Sequence, residues 1–291
     1  MKQKITTVLF LLITAFTSAQ ITYSGFIDKY PIEFVTNVYS DGEGRAIYTY
    51  SNFDTPIVLN AKQKGNTLVF TEKDKNNKPS AQITFQNYNS KSDKLKGTWK
   101  DLNSGKELQI QLNKTFDAGS KEMTEWSNKE ILQPVSFKDK YFKLVLSKQK
   151  DDYEAKVTAV KILEKKTDKL LQTFNVECQL LGLNNINIED YNFDGIEDFS
   201  VYEAGAAGPN TSSLYFLYNP KTGKYFESSF TGTSLEFDSK TKRIYERNQC
   251  CAGSSVIEAE YKVVNNKMVL IKQTCFKYDP KLNDLKKVKC D

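Results

Sequence analysis

Nine consecutive residues carry the chemistry that is easiest to read from this chain: Asp190-Tyr-Asn192-Phe-Asp194-Gly195-Ile196-Glu-Asp198. Oxygen-bearing side chains recur at loop positions 1, 3, 5 and 9, and glycine stands at position 6. A hard cation such as calcium takes about six to eight oxygens at roughly 2.3–2.6 Å. Alternate residues of a tight loop turn their oxygens inward, while Tyr191 and Phe193 turn outward to pack. Gly195 permits the sharp bend that brings Asp198 back toward the ion. The expected ligands are therefore Asp190, Asn192, Asp194, the carbonyl of Ile196 and Asp198. Position 12, a bidentate Glu in an EF-hand, is Val201 here, so the loop is not an EF-hand. Asn, Asp and Gly also build ordinary hairpin turns, but a turn does not need a fourth acid at this spacing. Without a cation the three Asp carboxylates would repel one another. The site reads as structural, since one ion would occupy its oxygens and leave no open position.

Other constellations are missing or open. The chain has no histidine, which removes Ser-His-Asp and Cys-His catalysis and the usual His-bearing zinc sites. A carboxylate pair for glycoside hydrolysis is formally available, yet the acids that cluster in sequence are those of the loop. The expectation is a non-catalytic protein. Five cysteines stand at 178, 250, 251, 275 and 290. Cys178, on an alternating strand, is expected to be a buried free thiol. Cys250, Cys251, Cys275 and Cys290 are the disulfide candidates. Adjacent cysteines rarely bond each other, so two bridges from Cys250 and Cys251 to Cys275 and Cys290 are expected, their connectivity open.

The elements that must hold the loop are strands. Leu183–Ile188 before it and Phe199–Tyr202 after it both read as β. Composition is rich in Phe, Tyr, Thr, Val and Ile, and Asn-, Asp- and Gly-containing turns are frequent. This points to an all-β chain. Residues 1–19 read as a secretory signal peptide: Lys2 and Lys4, an apolar stretch from Val8 to Phe16, then small residues at 17–19. Removing the two leader lysines takes the formal net charge from +5 to +3. Lysines are interspersed with acids, so no nucleic-acid partner is expected, and no stretch suits a membrane span. A periplasmic or secreted location follows.

Residues 20–115 read as an antiparallel meander closing into a barrel or sandwich. Leu68 and Phe70 face inward there, and Leu95, Gly97 and Trp99 share one face. Residues 116–134 read as a linker with a short helical turn between Met123 and Leu132. Residues 135–291 read as a second domain, an antiparallel β-sandwich carrying the calcium loop. Its last hairpin turns at Asn265-Asn266, with Val264 set opposite Met268.

The loop run through Val201, the Gly-rich stretch after it, Tyr215-Phe-Leu-Tyr-Asn-Pro-Lys-Thr-Gly-Lys-Tyr225 and Tyr261–Ile271 resemble the bacterial periplasmic i-type lysozyme inhibitors. The loop itself is similar to the Asp-rich calcium loops of integrin-type FG-GAP repeats. The likeness covers about residues 135–280 and implies a β-sandwich with a calcium loop. It also implies an exposed Ser-Gly-x-x-Tyr loop inserted into a lysozyme cleft. The corresponding stretch here is Ser212-Ser-Leu-Tyr215, with different spacing and no Gly after the Ser, making Ser212 and Tyr215 the partner-binding candidates. The expected function is an exported, non-catalytic, calcium-binding protein whose partner is a protein or a cell-wall glycan. Two alternatives stand beside it: an envelope carbohydrate-active enzyme or sugar-binding module, and an accessory scaffold of a secretion or surface assembly.

Overall fold

The computed structural model describes residues 19–119, 124–150, 152, 154–206 and 208–290. The expected signal peptide lies outside the described residues, apart from Ala19. Eight strands form a closed antiparallel barrel: β1 (Ala19–Ile27), β2 (Tyr30–Val38), β3 (Glu43–Tyr50), β4 (Ile57–Lys64), β5 (Thr67–Lys73), β6 (Pro79–Phe85), β7 (Lys94–Asp101) and β8 (Glu107–Asp117). Each strand pairs with the next, and β1 pairs with β8 to close the ring. The alternation expected from the sequence holds. Leu68 and Phe70 are fully buried, Leu95 is buried, and Trp99 packs against the same core at its edge. Aromatic rings occupy the interior: Phe34 lies 5.3 Å from Phe70 and 6.0 Å from Tyr48, and Phe70 lies 6.2 Å from Phe85. Each such ring contributes about 1.5–3 kcal/mol by leaving water. At Gly97 an added Cβ would stand 2.2 Å from the Thr84 carbonyl oxygen, so β7 approaches β6 more closely than any side chain permits.

Three further sheets follow, each a simple meander. The first holds β9 (Trp126–Ser136), β10 (Lys140–Lys148), β11 (Lys156–Glu164) and β12 (Leu170–Gln179). The second holds β13 (Ile186–Glu189), β14 (Asp198–Gly205), β15 (Thr211–Asn219) and β16 (Lys224–Glu227). The third holds β17 (Glu236–Asp238), β18 (Arg243–Cys250), β19 (Ser255–Val264), β20 (Lys267–Asp279) and β21 (Asp284–Val288). The described residues contain no α-helix, and no helix is long and apolar enough to cross a membrane. Residues 126–134, expected to be linker with a helical turn, are strand β9, and Met123 lies outside the described residues.

The sheets pack face to face, so the expected sandwich has a third layer. Between the first and second sheets, Phe174, Phe142 and Tyr225 surround the stacked pair Phe199 and Phe216, whose rings are 4.7 Å apart. Val35 and Ile47 point out of the barrel into this same core and fasten barrel to sheet. Lys143 and Glu33 add an ion pair at 2.7 Å across that junction. Between the second and third sheets lies a smaller core of Tyr191, Phe193, Tyr215, Leu217, Phe230 and Ile244. At the last hairpin Asn265 and Asn266 take φ of 49° and 57°, the two positive values a type I′ turn requires. The two-residue turn sets Val264 opposite Lys267 and Val263 opposite Met268, one position from the expected register. Farther along, β21 pairs with Cys275–Asp279, and among the described strands none pairs with Lys267–Thr274 of β20 on that side. Val269, Leu270 and Ile271 are exposed along this open edge.

Candidate metal centre

The loop joining β13 to β14 lies where the second sheet meets the turns of the third. Its two ends are fixed by pairing of Glu189 with Asp198. Tyr191 and Phe193 point into the small core, as the alternation predicts. Gly195, at φ 89°, makes the bend. Phe193 also takes a positive φ, 63°, which a bulky residue adopts only when its surroundings hold it there.

The oxygens are arranged as follows. Asp190 accepts from the amides of Asp194 (Oδ1, 3.0 Å) and Gly195 (Oδ2, 2.8 Å). Asn192 Oδ1 accepts from that same Asp194 amide at 3.1 Å, so Asp190 and Asn192 present oxygens to one point. Asp194 Oδ1 accepts from the Ile196 amide at 2.9 Å, and its Oδ2 accepts from Asn192 Nδ2 at 2.9 Å. Each of these carboxylates keeps further lone pairs. The third sheet reaches in twice: Asn192 Nδ2 donates to Asn266 Oδ1 at 3.0 Å, and Lys242 Nζ donates to the Phe193 carbonyl at 3.1 Å. Backbone amides and one ammonium thus offset the repulsion that the sequence led us to expect between Asp190 and Asp194.

Asp198 behaves differently. It is fully buried, and its Oδ2 and Oδ1 accept from the amides of Tyr191 (3.0 Å) and Tyr218 (2.7 Å). The Asn192 amide adds a third donor. Burial outweighs these donors and pushes its carboxyl up to about 6. The Asp198 carboxylate, read from the sequence as a ligand, ties the loop to β15. Among the described residues, no three His, Cys, Asp or Glu side chains gather closely enough to hold an ion. Of the expected ligands, Asp190, Asn192 and Asp194 are joined to one another through shared hydrogen bonds.

The partner-binding candidates are not displayed to solvent as an insertion loop would be. Tyr215 is buried in β15, its ring 5.0 Å from Tyr191 and 5.1 Å from Phe237. Ser212 is half-buried in the same strand, and its Oγ donates to the Ala204 carbonyl at 3.5 Å. The Gly-rich segment beyond β14 is tied down: Asn210 donates to the Gln249 carbonyl at 2.6 Å and accepts from the Gln249 amide at 3.1 Å.

The cysteines depart from the expected pairing in part. Cys178 is buried and free, as read from its strand, and burial pushes its thiol up to about 12. Cys275 and Cys290 bond each other, Cα to Cα 5.2 Å, instead of reaching Cys250 and Cys251, which are free and exposed. A cleft of about 350 Å³ on the third sheet, missed in the sequence, is lined by Tyr245, Glu246, Arg247, Glu258, Glu260 and Lys272. Three of its acids are engaged: Glu258 pairs with Arg247, Glu260 with Arg243, and Glu246 accepts from the Tyr261 hydroxyl, while Glu236 also lines it. Only the alternating charges of β18 and β19 hint at it in the sequence.

No protein-family model matches the sequence, and no curated protein matches it. Solved structures overlap with it only distantly. A Xanthomonas type IV secretion system related protein is 10% identical over 93% of this chain and 99% of its own, with a TM-score of 0.27. The β-propeller domain of the Trilobed protease from Pyrococcus furiosus is 9% identical over 93% and 72%, at 0.21. A protein from Lactobacillus plantarum is 10% identical over 93% and 95%, at 0.23. Overlap at this level assigns neither family nor activity.

Proposed function

We propose that this is an exported, non-catalytic binding protein whose Asp190–Asp198 loop takes calcium as a structural joint between its last two sheets. The observation that carries the reading is the convergence of Asp190 and Asn192 oxygens on one amide, with Asn192 also bonded to Asn266 of the third sheet. A cation there would add positive charge where two carboxylates already stand, and would fix Asn192 against the last hairpin. Binding to the native state alone stabilises by about 2.7 kcal/mol at a hundredfold excess over Kd. Chelation is expected to lower the melting temperature, and calcium to restore it better than magnesium, which gives up water reluctantly. Asp194→Ala removes the response and Glu197→Ala, an exposed residue outside the donor set, leaves it intact. A calcium response that survives Asp194→Ala sinks the reading.

The partner, a protein or a cell-wall component, is assigned to the third sheet. Its open β20 edge presents unpaired backbone groups beside Val269, Leu270 and Ile271, the element to which an extended segment adds as a further strand. Lysines at 269 and 271 would block such addition. Titration of Val269→Lys/Ile271→Lys against purified lysozymes should show at least about tenfold weaker binding than wild type. Binding of soluble peptidoglycan fragments that ignores both substitutions would favour the sugar-binding alternative instead. The pairing of Glu246, Glu258 and Glu260 in the cleft supports binding over hydrolysis.

A further inference from the structure

Cys250 ends β18, and Cys251 opens the three-residue 3-10 turn Cys251–Gly253 that leads into β19. Cys251, Ala252 and Gly253 take φ of 56°, 54° and 83°. Two successive non-glycine residues in this region are uncommon, and such outliers cluster at functional sites. The turn is nevertheless well anchored. Ser254 donates to the Cys251 carbonyl from Oγ (2.7 Å) and from its amide (3.1 Å). The Ser254 carbonyl accepts from the Tyr278 amide at 2.8 Å, and the Asn210 clasp holds Gln249 on the other side. Both thiols stay free and exposed, side by side in sequence, above this frame. Their other partners are removed: Cys275 and Cys290 are bonded together, and Cys178 is buried in the first sheet.

We propose that Cys250 and Cys251 form a redox-active dithiol that closes reversibly to a vicinal disulfide by exchange with an external low-molecular-weight disulfide. Both thiols are free and exposed, so either can open the reaction. The first thiolate attacks one sulfur of the incoming disulfide, forming a mixed disulfide and releasing one thiolate. The second thiol, on losing its proton, attacks the sulfur of the first, closes the ring and releases the second thiolate. The protein loses two electrons and two protons; the external disulfide gains the electrons and leaves as two thiols.

Covalent geometry explains why the ring would reopen. Adjacent Cα atoms across a trans peptide are about 3.8 Å apart, short of the roughly 4.4–6.8 Å that disulfides favour. A bond forced into that span is strained and easily reduced. The Cys275–Cys290 bridge, at 5.2 Å, lies within the favoured range and stays closed. The chain thus pairs one lasting bridge with one labile one in the same sheet.

The test uses the full chain equilibrated in glutathione buffers of graded ratio, then quenched with acid and N-ethylmaleimide for mass mapping. The expected product is two hydrogens lighter, with one peptide holding both Cys250 and Cys251 unlabelled. The Cys275–Cys290 bridge should persist at glutathione ratios at least about tenfold more reducing. Cys251→Ser should instead accumulate glutathione on Cys250. Should that variant fail to fold, phenylarsine oxide on the native wild type decides: one arsenical per chain should protect both thiols from labelling. Glutathione adducts on the wild type without ring closure would overturn the proposal. So would a bridge from Cys250 or Cys251 to Cys275 or Cys290, unchanged thiols under oxidation, or no protection by the arsenical.

Discussion

Replacing Asp198 with Asn tests whether this residue is a structural tether rather than a metal ligand. In the native protein its carboxyl sits near 6 because of burial, against 3.8 in the unfolded chain. The folded state therefore holds a proton that the unfolded state has released. Stability from this group is full below about 3.8 and is lost as pH rises through 6. Two pKa units correspond to just under 3 kcal/mol; discounted for solvent reaching the exposed Asp194 side of the loop, the loss is about 2 kcal/mol. Asn cannot titrate, so that slope disappears. Its NH₂ faces one of the amides of Tyr191 and Tyr218, leaving a buried donor unsatisfied for about 1–3 kcal/mol at every pH. In chelator, Asp198→Asn should be clearly less stable than wild type at pH 4 and close most of that gap by pH 7. Urea unfolding followed by tyrosine fluorescence at half-unit steps of pH measures both curves. If they run parallel from pH 4 to pH 7, the placement of Asp198 is wrong.

Three other outcomes are expected. Asn265→Val with Asn266→Val forces two β-branched residues to positive φ, and should destabilise the protein by about 2 kcal/mol or more in denaturant titrations. Phe216→Ala empties the stack between the first and second sheets and should lower stability by about 3–5 kcal/mol, read from the same unfolding curves. Cys178 should resist alkylation in native protein at pH 8 and label fully in urea. Because its folded thiol is pushed to about 12, its contribution to stability is present below 9 and lost as pH rises toward 12.

Where residues alternate against one core, the sequence is easily read. Leu68 and Phe70, Tyr191 and Phe193 fall on the faces that a period of two assigns them. Strand β9 escapes because it touches two layers at once. Ile131, Leu132 and Gln133 are all fully buried, between the barrel and β10, which erases the alternation. Pro134 then sits in an irregularity where Leu132 pairs with Lys143 and Ser136 with Tyr141, so it breaks no ladder bond. In the loop, spacing alone correctly singles out Asp190, Asn192 and Asp194 as neighbours. The role of Asp198 depends on Tyr218, 20 residues away on β15, a contact that no local pattern encodes. The resemblance placed Tyr215 at a binding surface, while the ring packing of Phe237 and Tyr191 around it draws on three separate strands and loops.

Every sheet in this molecule is drawn from one unbroken stretch of chain, with strands paired in the order they occur. Closing a short hairpin loses little chain entropy, and the penalty grows only slowly with loop length. Each sheet can therefore assemble without waiting for distant sequence, and the β1–β8 closure is the one long-range ladder pairing among the described strands. Folding during synthesis would proceed from the barrel outward, one layer laid upon the last, each new meander finding the apolar face of its predecessor already formed. Such a chain should tolerate slow translation well, and should suffer most from changes that delay the barrel, because the later layers would then emerge with nothing to cover their inner faces.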